Sequence, residues 1–189
     1  MQTADAVFFT AEDYLAWEEL QEEKHEYVNA EVFAMGGARR EHVVVAGNIF
    51  AALKQHLRGT PCQVYISDMK LSVEQVDAFY YPDVMVSCDK GDQQAEQFLS
   101  APLLIIEVLS DSTEAYDRGA KFAAYRQLPS LKEYVLINIK AKQLECFQRT
   151  SHDDWLLHVC DTQAFCELVS VEASIALADI FEGLNESRV

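Results

Sequence analysis

Residues 101–113, APLLIIEVLSDST, pose the question on which the fold turns. Leu103, Leu104, Ile105 and Ile106 read as a strand buried on both faces, and Val108 and Leu109 continue it. Glu107 interrupts that run. Burying an unpaired carboxylate costs on the order of several kcal/mol. Glu107 therefore either has a specific buried partner or serves a site.

Downstream, 112–128 (STEAYDRGAKFAAYRQL) predicts a helix with a Ser or Thr cap, Glu114 in its first turn and Pro129 beyond its end. EYVLINI (133–139) then predicts a strand, and the strand–helix–strand spacing is that of a crossover joining a parallel pair. QLECFQR (143–149) and DWLLHVC (154–160) add two further strands. Upstream, CQVYISDMKLSV (62–73) and AFYYPDVMVSC (78–88) read as strands, with a polar loop over 89–100. A helix is expected over 40–58, and VNAEVFAMGG (28–37) as two extended segments around a turn. Another helix, 10–27, starts at Thr10 as N-cap with Glu12 and Asp13 in its first turn. The tail, 161–189, reads as a capping region with one helix near 174–181. No repeat, linker or low-complexity segment divides the chain. One domain spanning 1–189 is expected, with its core at about 10–160, in an α/β (mixed α+β) class: a central mixed sheet flanked by helices.

Fifteen Lys and Arg stand against 31 Asp and Glu, a formal charge of −16. Nucleic-acid binding draws much of its affinity from neutralised phosphates, so this balance opposes a DNA binder overall, though it is silent about a local site. No run approaches the roughly 20 apolar residues of a membrane span. The start, MQTADAVFFTAEDYL, lacks a basic n-region and an apolar core and predicts no secretion. Five cysteines without a CxxC pair argue against a zinc ribbon and a disulfide framework, and a reducing cytoplasm fits best.

Asp83, after Pro82 in YYPDVMV, is a second carboxylate in an apolar strand, and Lys121 lies on the following helix with Asp117 one turn earlier. Two carboxylates from adjacent strands suit a hard divalent cation such as Mg²⁺, and a lysine nearby can stabilise a transferring phosphate or orient water. Each residue also has a plainer reading. Asp83 could end a turn, Glu107 could pair structurally with Lys121, and Lys121 with Asp117 could be an ordinary helical pair worth tenths of a kcal/mol, roughly. MGGARR (35–40) is not a phosphate loop, no GxSxG elbow occurs, and Cys and His are not spaced for a zinc tetrahedron.

PDVMV, PLLIIEVLSDST, the later Asp and Lys, and EYVLIN together resemble the PD-(D/E)XK nuclease superfamily, and more closely its Uma-type restriction endonuclease family. HEYVNAEVFAMGGARREHVVVAGNIFAALKQHL resembles that family's N-terminal half, so the likeness runs from about residue 10 to 150. The resemblance implies a restriction-endonuclease-like fold and Mg²⁺- or Mn²⁺-dependent cleavage of DNA. It makes Asp83 and Glu107 metal ligands, with the main-chain carbonyl of Val108 as a third. The superfamily lysine expected two residues after Glu107 is Leu109 here, and the resemblance moves that role to Lys121. Asp117, His42 and Glu31 are accessory candidates. Ala30 stands where the family usually carries glycine. A cytoplasmic homodimer is expected, since duplex cutting commonly uses two sites about a twofold axis. The charge and the displaced lysine motivate an alternative, an inactive nuclease-fold domain serving as a homo-oligomeric interaction module. A hydrolase of small phosphorylated or nucleotide substrates is a third reading.

Overall fold

The computed structural model describes residues 10–161 and 164–184. Helix α1 (Ala11–Glu18) is closed by a capping box, in which Asp13 N–H donates to Thr10 Oγ1 at 3.1 Å and Thr10 N–H to the Asp13 carboxylate at 3.2 Å. The helix expected to reach residue 27 ends here. Glu18 instead accepts from His25 N–H at 2.8 Å and from the Tyr81 hydroxyl at 2.9 Å, tying the chain down as a strand. β1 (His25–Val28) and β2 (Glu31–Ala34) form a hairpin around Asn29 and Ala30, with φ of 49° and 67°. Two successive left-handed residues match the twist of a tight hairpin. That conformation costs a residue with a Cβ roughly 1–2 kcal/mol, part of which a glycine's extra unfolded-state freedom would offset. Ala30→Gly is expected to raise stability by up to about 1 kcal/mol, read as a higher denaturant midpoint at unchanged slope.

Helix α2 (Arg40–His56) leads to β3 (Gln63–Ile66), β4 (Lys70–Val73), β5 (Ala78–Tyr80) and β6 (Val84–Ser87). The stretches 62–73 and 78–88, read as single strands, are each broken, at Ser67 (φ 48°) and at 81–83. Together they form a ribbon whose one end, β3–β6, joins one sheet while the other, β4–β5, joins a second. Asp83 sits at the break. β7 (Phe98–Leu99) and β8 (Leu104–Val108) follow, then a helical segment made of α3 (Glu114–Tyr116), a π-helical turn (Asp117–Lys121) and α4 (Phe122–Tyr125). β9 (Glu133–Asn138), β10 (Gln143–Arg149) and β11 (Trp155–Cys160) complete the larger sheet, ordered β11-β10-β9-β8-β6-β3, with β8 and β9 parallel as the crossover spacing predicts. The smaller sheet is β2-β1-β5-β4-β7.

The tail differs from expectation. It forms a hairpin of β12 (Phe165–Leu168) and β13 (Ala173–Ala176), and helix α5 (Leu177–Ile180) is one turn. Alternate residues Cys166, Leu168, Ala173 and Ile175 are buried, the period of a strand. The expectation of no disulfides is also corrected, since Cys62 bonds Cys88 and Cys160 bonds Cys166. Cys62 and Cys88 lie one step beyond the Gln63–Ser87 pair of the β3–β6 ladder, a proximity set by register and not by sequence spacing.

Strand alternation divides the core. Leu104, Ile106 and Val108 pack with Val45, Ile49 and Leu53 of α2 and with the C-terminal hairpin. Ile105 and Leu109 face the other way, towards Tyr125, Tyr134, Leu136 and the smaller sheet's Leu71 and Tyr80. Tyr14, Tyr27 and Phe79 bind α1 to that sheet's far side. Among the described residues β11 pairs on one side only, with Leu156 and Leu157 more than half exposed. The class is mixed α+β, with mixed sheets flanked by helices, and among the described residues no helix is long and apolar enough to cross a membrane.

Candidate active site

Alternation along β8 carries Glu107 to the same side as Ile105 and Leu109, where it is only 3 % exposed. Antiparallel pairing of Val84 with Ile106 places Asp83 next in register to Glu107. The two clasp each other through backbone donors. Asp83 N–H donates to Glu107 Oε2 at 3.1 Å, and Val108 N–H donates to Asp83 Oδ2 at 2.8 Å. Tyr125 donates its hydroxyl to Glu107 Oε1 at 2.9 Å.

Lys121 answers the question that Glu107 raises in the sequence. Its ammonium is 3.3 Å from Glu107, 2.9 Å from Glu26 and 3.7 Å from Asp117, and all four residues are buried. The π-helical turn is held from below, where Tyr134 donates to the Asp117 carbonyl at 2.9 Å and Arg118 grips Glu145 of β10 at 2.8 Å. π-turns of this kind recur at functional sites because they re-aim side chains without ending the helix. Tyr80 and Tyr116 present their rings to the ammonium at 5.9 and 5.8 Å, adding cation–π attraction. Burial disfavours the lysine's charge, but Glu107, Glu26 and Asp117 outweigh it and hold its pKa above the usual range.

The acids outnumber the cation. Burial pushes the Glu107 carboxyl up to about 8, with Asp83, Asp117 and Glu26 adding to the effect and Lys121 opposing it. Burial likewise raises Asp117 against the pull of Lys121. His42, in the first turn of α2, lies 3.1 Å from Asp83 Oδ2 and also bonds the Val108 backbone. Burial acts against its charge, yet Asp83, Val108 and Asp117 raise its pKa overall.

Asp83, Glu107, Lys121, Asp117 and His42 thus meet, as the sequence groups them. Glu31 does not. It is exposed at the start of β2 and takes no part in the ion pairs around Lys121. Glu26 and Tyr125 enter instead. Reading 10–27 as one helix hid Glu26, although the alternation in HEYV, with Tyr27 turned to α1, turns Glu26 towards Lys121.

The donor set fits a hard divalent cation. Four carboxylates surround one lysine and one histidine, leaving a deficit of positive charge in a poorly solvated place. Asp83 and the Val108 backbone already converge on a polar ring, that of His42. The ligands would be Asp83, Glu107 and the Val108 carbonyl.

The family model Uma2, described as "Putative restriction endonuclease", matches residues 11–178. Two relatives come from Synechocystis sp., both named as uncharacterized. Protein slr1290 is 38% identical over 173 residues, covering 92% of this chain and 91% of that protein, and sll1609 is 33% identical over 159 residues, covering 83% and 90%. A crystal structure titled as a "putative nuclease belonging to DUF820" from Anabaena variabilis superposes with a TM-score of 0.74, covering 92% of this chain and 97% of that one. At 14% identity that likeness is one of fold. The matched span holds every residue of the carboxylate–lysine cluster, and the chain belongs to the Uma2 family.

Proposed function

We propose that the protein is a Mg²⁺- or Mn²⁺-dependent endonuclease that hydrolyses DNA phosphodiester bonds. The observation that carries this reading is the convergence of Asp83, Glu107 and Lys121, from two adjacent strands and the crossover helix, on one acid-rich centre. A divalent cation bound there would polarise a phosphoryl oxygen and lower the pKa of water beside it. The protein's own groups do the rest. Asp83 and Glu107 would hold the cation, and the Asp83–Val108 and Tyr125–Glu107 hydrogen bonds fix their carboxylates in place. Lys121 keeps Glu107 in place and carries positive charge into the cluster, and His42 positions Asp83.

Basic residues lie close in the chain to the groups of the site, each already partnered, Arg40 with the Gly183 carbonyl. Arg39 and Lys140 both engage Asp111, three residues beyond Val108, and Arg40 opens the same helix as His42. Local charge of this kind guides a polyanion even on an acidic protein. A twofold dimer in the cytoplasm would bring two such sites to the two strands of a duplex.

The direct test is conversion of supercoiled plasmid to nicked and linear forms with Mg²⁺ or Mn²⁺, against a chelator control. Metal binding without cleavage of DNA, but with turnover of a nucleotide, would favour a small-substrate hydrolase. Neither binding nor cleavage would leave the fold as an interaction module. Metal affinity is also expected to depend on pH. Glu107 must give up its proton to become a ligand, so apparent affinity rises between about pH 6 and 8 by up to about tenfold per unit. Calorimetric Mn²⁺ titrations across that range measure it, and a flat profile would remove Glu107 from the ligand set.

A further inference from the structure

A second cluster lies on the opposite face of the larger sheet. Leu144 of β10 pairs with Cys160 of β11, and Cys146 pairs with His158, so Cys146 and Cys160 are diagonal neighbours on one face. The β12–β13 hairpin closes over that face and delivers Cys166 from above. All three sulfurs lie within 4.8 Å of one another and all three residues are buried, with Cys146 Sγ 3.6 Å from Cys166 Sγ. The Cys160–Cys166 bond leaves Cys146 as a third thiol in contact with it, an arrangement in which no pairing can use every sulfur.

We propose that in the reduced protein Cys146, Cys160 and Cys166 form a three-thiolate site for a soft d¹⁰ metal ion of the Cu(I) class. The site is independent of the nuclease reading. Metal–thiolate bonds of about 2.3 Å set sulfurs roughly 4 Å apart in a trigonal plane. Cys146 Sγ already lies 3.6 Å from Cys166 Sγ, and opening the Cys160–Cys166 bond lets that pair separate to the same spacing. Soft thiolates favour Cu(I) and Zn(II) over hard cations. Among the described residues no histidine or carboxylate joins the three sulfurs within that radius, which suits a three-coordinate ion better than a tetrahedral one. A cavity of about 240 Å³ lies beside Cys146, with His158, Glu133, Gln148 and Glu167 also in its wall.

A dithiol reductant gives two electrons and two protons to the Cys160–Cys166 bond and leaves as its own disulfide. One Cu(I) then forms three metal–sulfur bonds while three S–H bonds break and three protons leave.

The test uses the full chain reduced with a dithiol and then freed of it without air, with Cys62→Ser and Cys88→Ser removing the other pair. Competition with a chromophoric Cu(I) chelator should show one ion per chain, held more tightly than Zn(II). Bound Cu(I) should slow alkylation of Cys146, Cys160 and Cys166 at least about tenfold, mapped residue by residue by mass spectrometry. Cys146→Ser and Cys166→Ser should each lower affinity by at least about tenfold. Alkylation rates that ignore Cu(I), uptake that survives both substitutions, or preference for Zn(II) would overturn the proposal. The alkylation arm needs no substitution within the trio, so it stands even if those variants fold poorly.

Discussion

Asp83→Asn is expected to lower metal-dependent DNA cleavage by about a thousandfold, with secondary structure and melting temperature little changed. The side-chain carbonyl of asparagine can still accept from Val108 N–H, which Asp83 Oδ2 now does at 2.8 Å, so the clasp between β6 and β8 survives. What disappears is one full negative charge facing the proposed cation. Loss of about 4 kcal/mol of charge stabilisation in the transition state corresponds to about three decades in rate. Glu107→Gln should behave alike but bind metal more weakly still, because Glu107 is the more deeply buried of the two. Single-turnover cleavage under saturating Mn²⁺ separates lost chemistry from lost binding. Equal rates for wild type and both variants would refute the assignment.

Lys121→Met is expected to destabilise the fold by about 3–5 kcal/mol at neutral pH, because it leaves buried carboxylates without their cation. For a chain of this length that is a fall in melting temperature on the order of 10 °C. The pH dependence gives the sign. A carboxyl whose folded pKa lies above its unfolded value holds more protons folded than unfolded, so its contribution to stability falls as pH rises through the interval between them. For Glu107 in the intact protein that interval runs from about 4.5 to about 8, and without Lys121 it extends higher. The variant should therefore recover stability on acidification towards about pH 5, where Glu107 is protonated in the fold. A variant as stable as wild type at neutral pH would show that Lys121 does not balance Glu26, Glu107 and Asp117.

The parts of this site that are legible in the sequence share one property: they violate their surroundings. Glu107 within LLIIEVL and Asp83 within YYPDVMV are conspicuous because burial would cost them dearly unpaired, and the spacing from 109 to 133 announces the crossover. Glu26 offers no such contrast, since HEYV follows a long acidic stretch and its meaning comes from a strand pairing with β5. The C-terminal hairpin escapes for a similar reason. Its closing turn ends at Glu172 with φ 53°, where no glycine or proline marks a reversal. The cysteine pairs and the trio depend on which strands become neighbours, and a list of intervals contains no such information. Local chemistry is written in the sequence plainly, while proximity across sheets is written only in the fold.

The open edge at β11 gives the −16 charge a second meaning. A six-residue strand bonded on one side among the described residues, with Leu156 and Leu157 exposed, is a template on which a neighbouring copy's strand could be laid down. Mutual repulsion between strongly acidic molecules keeps such copies apart, and its range shrinks from about 10 Å at 0.1 M salt to about 3 Å at 1 M. The acidity that hinders approach to a polyanion thereby acts as a colloidal guard on this edge, so solubility and substrate access pull in opposite directions as ionic strength changes.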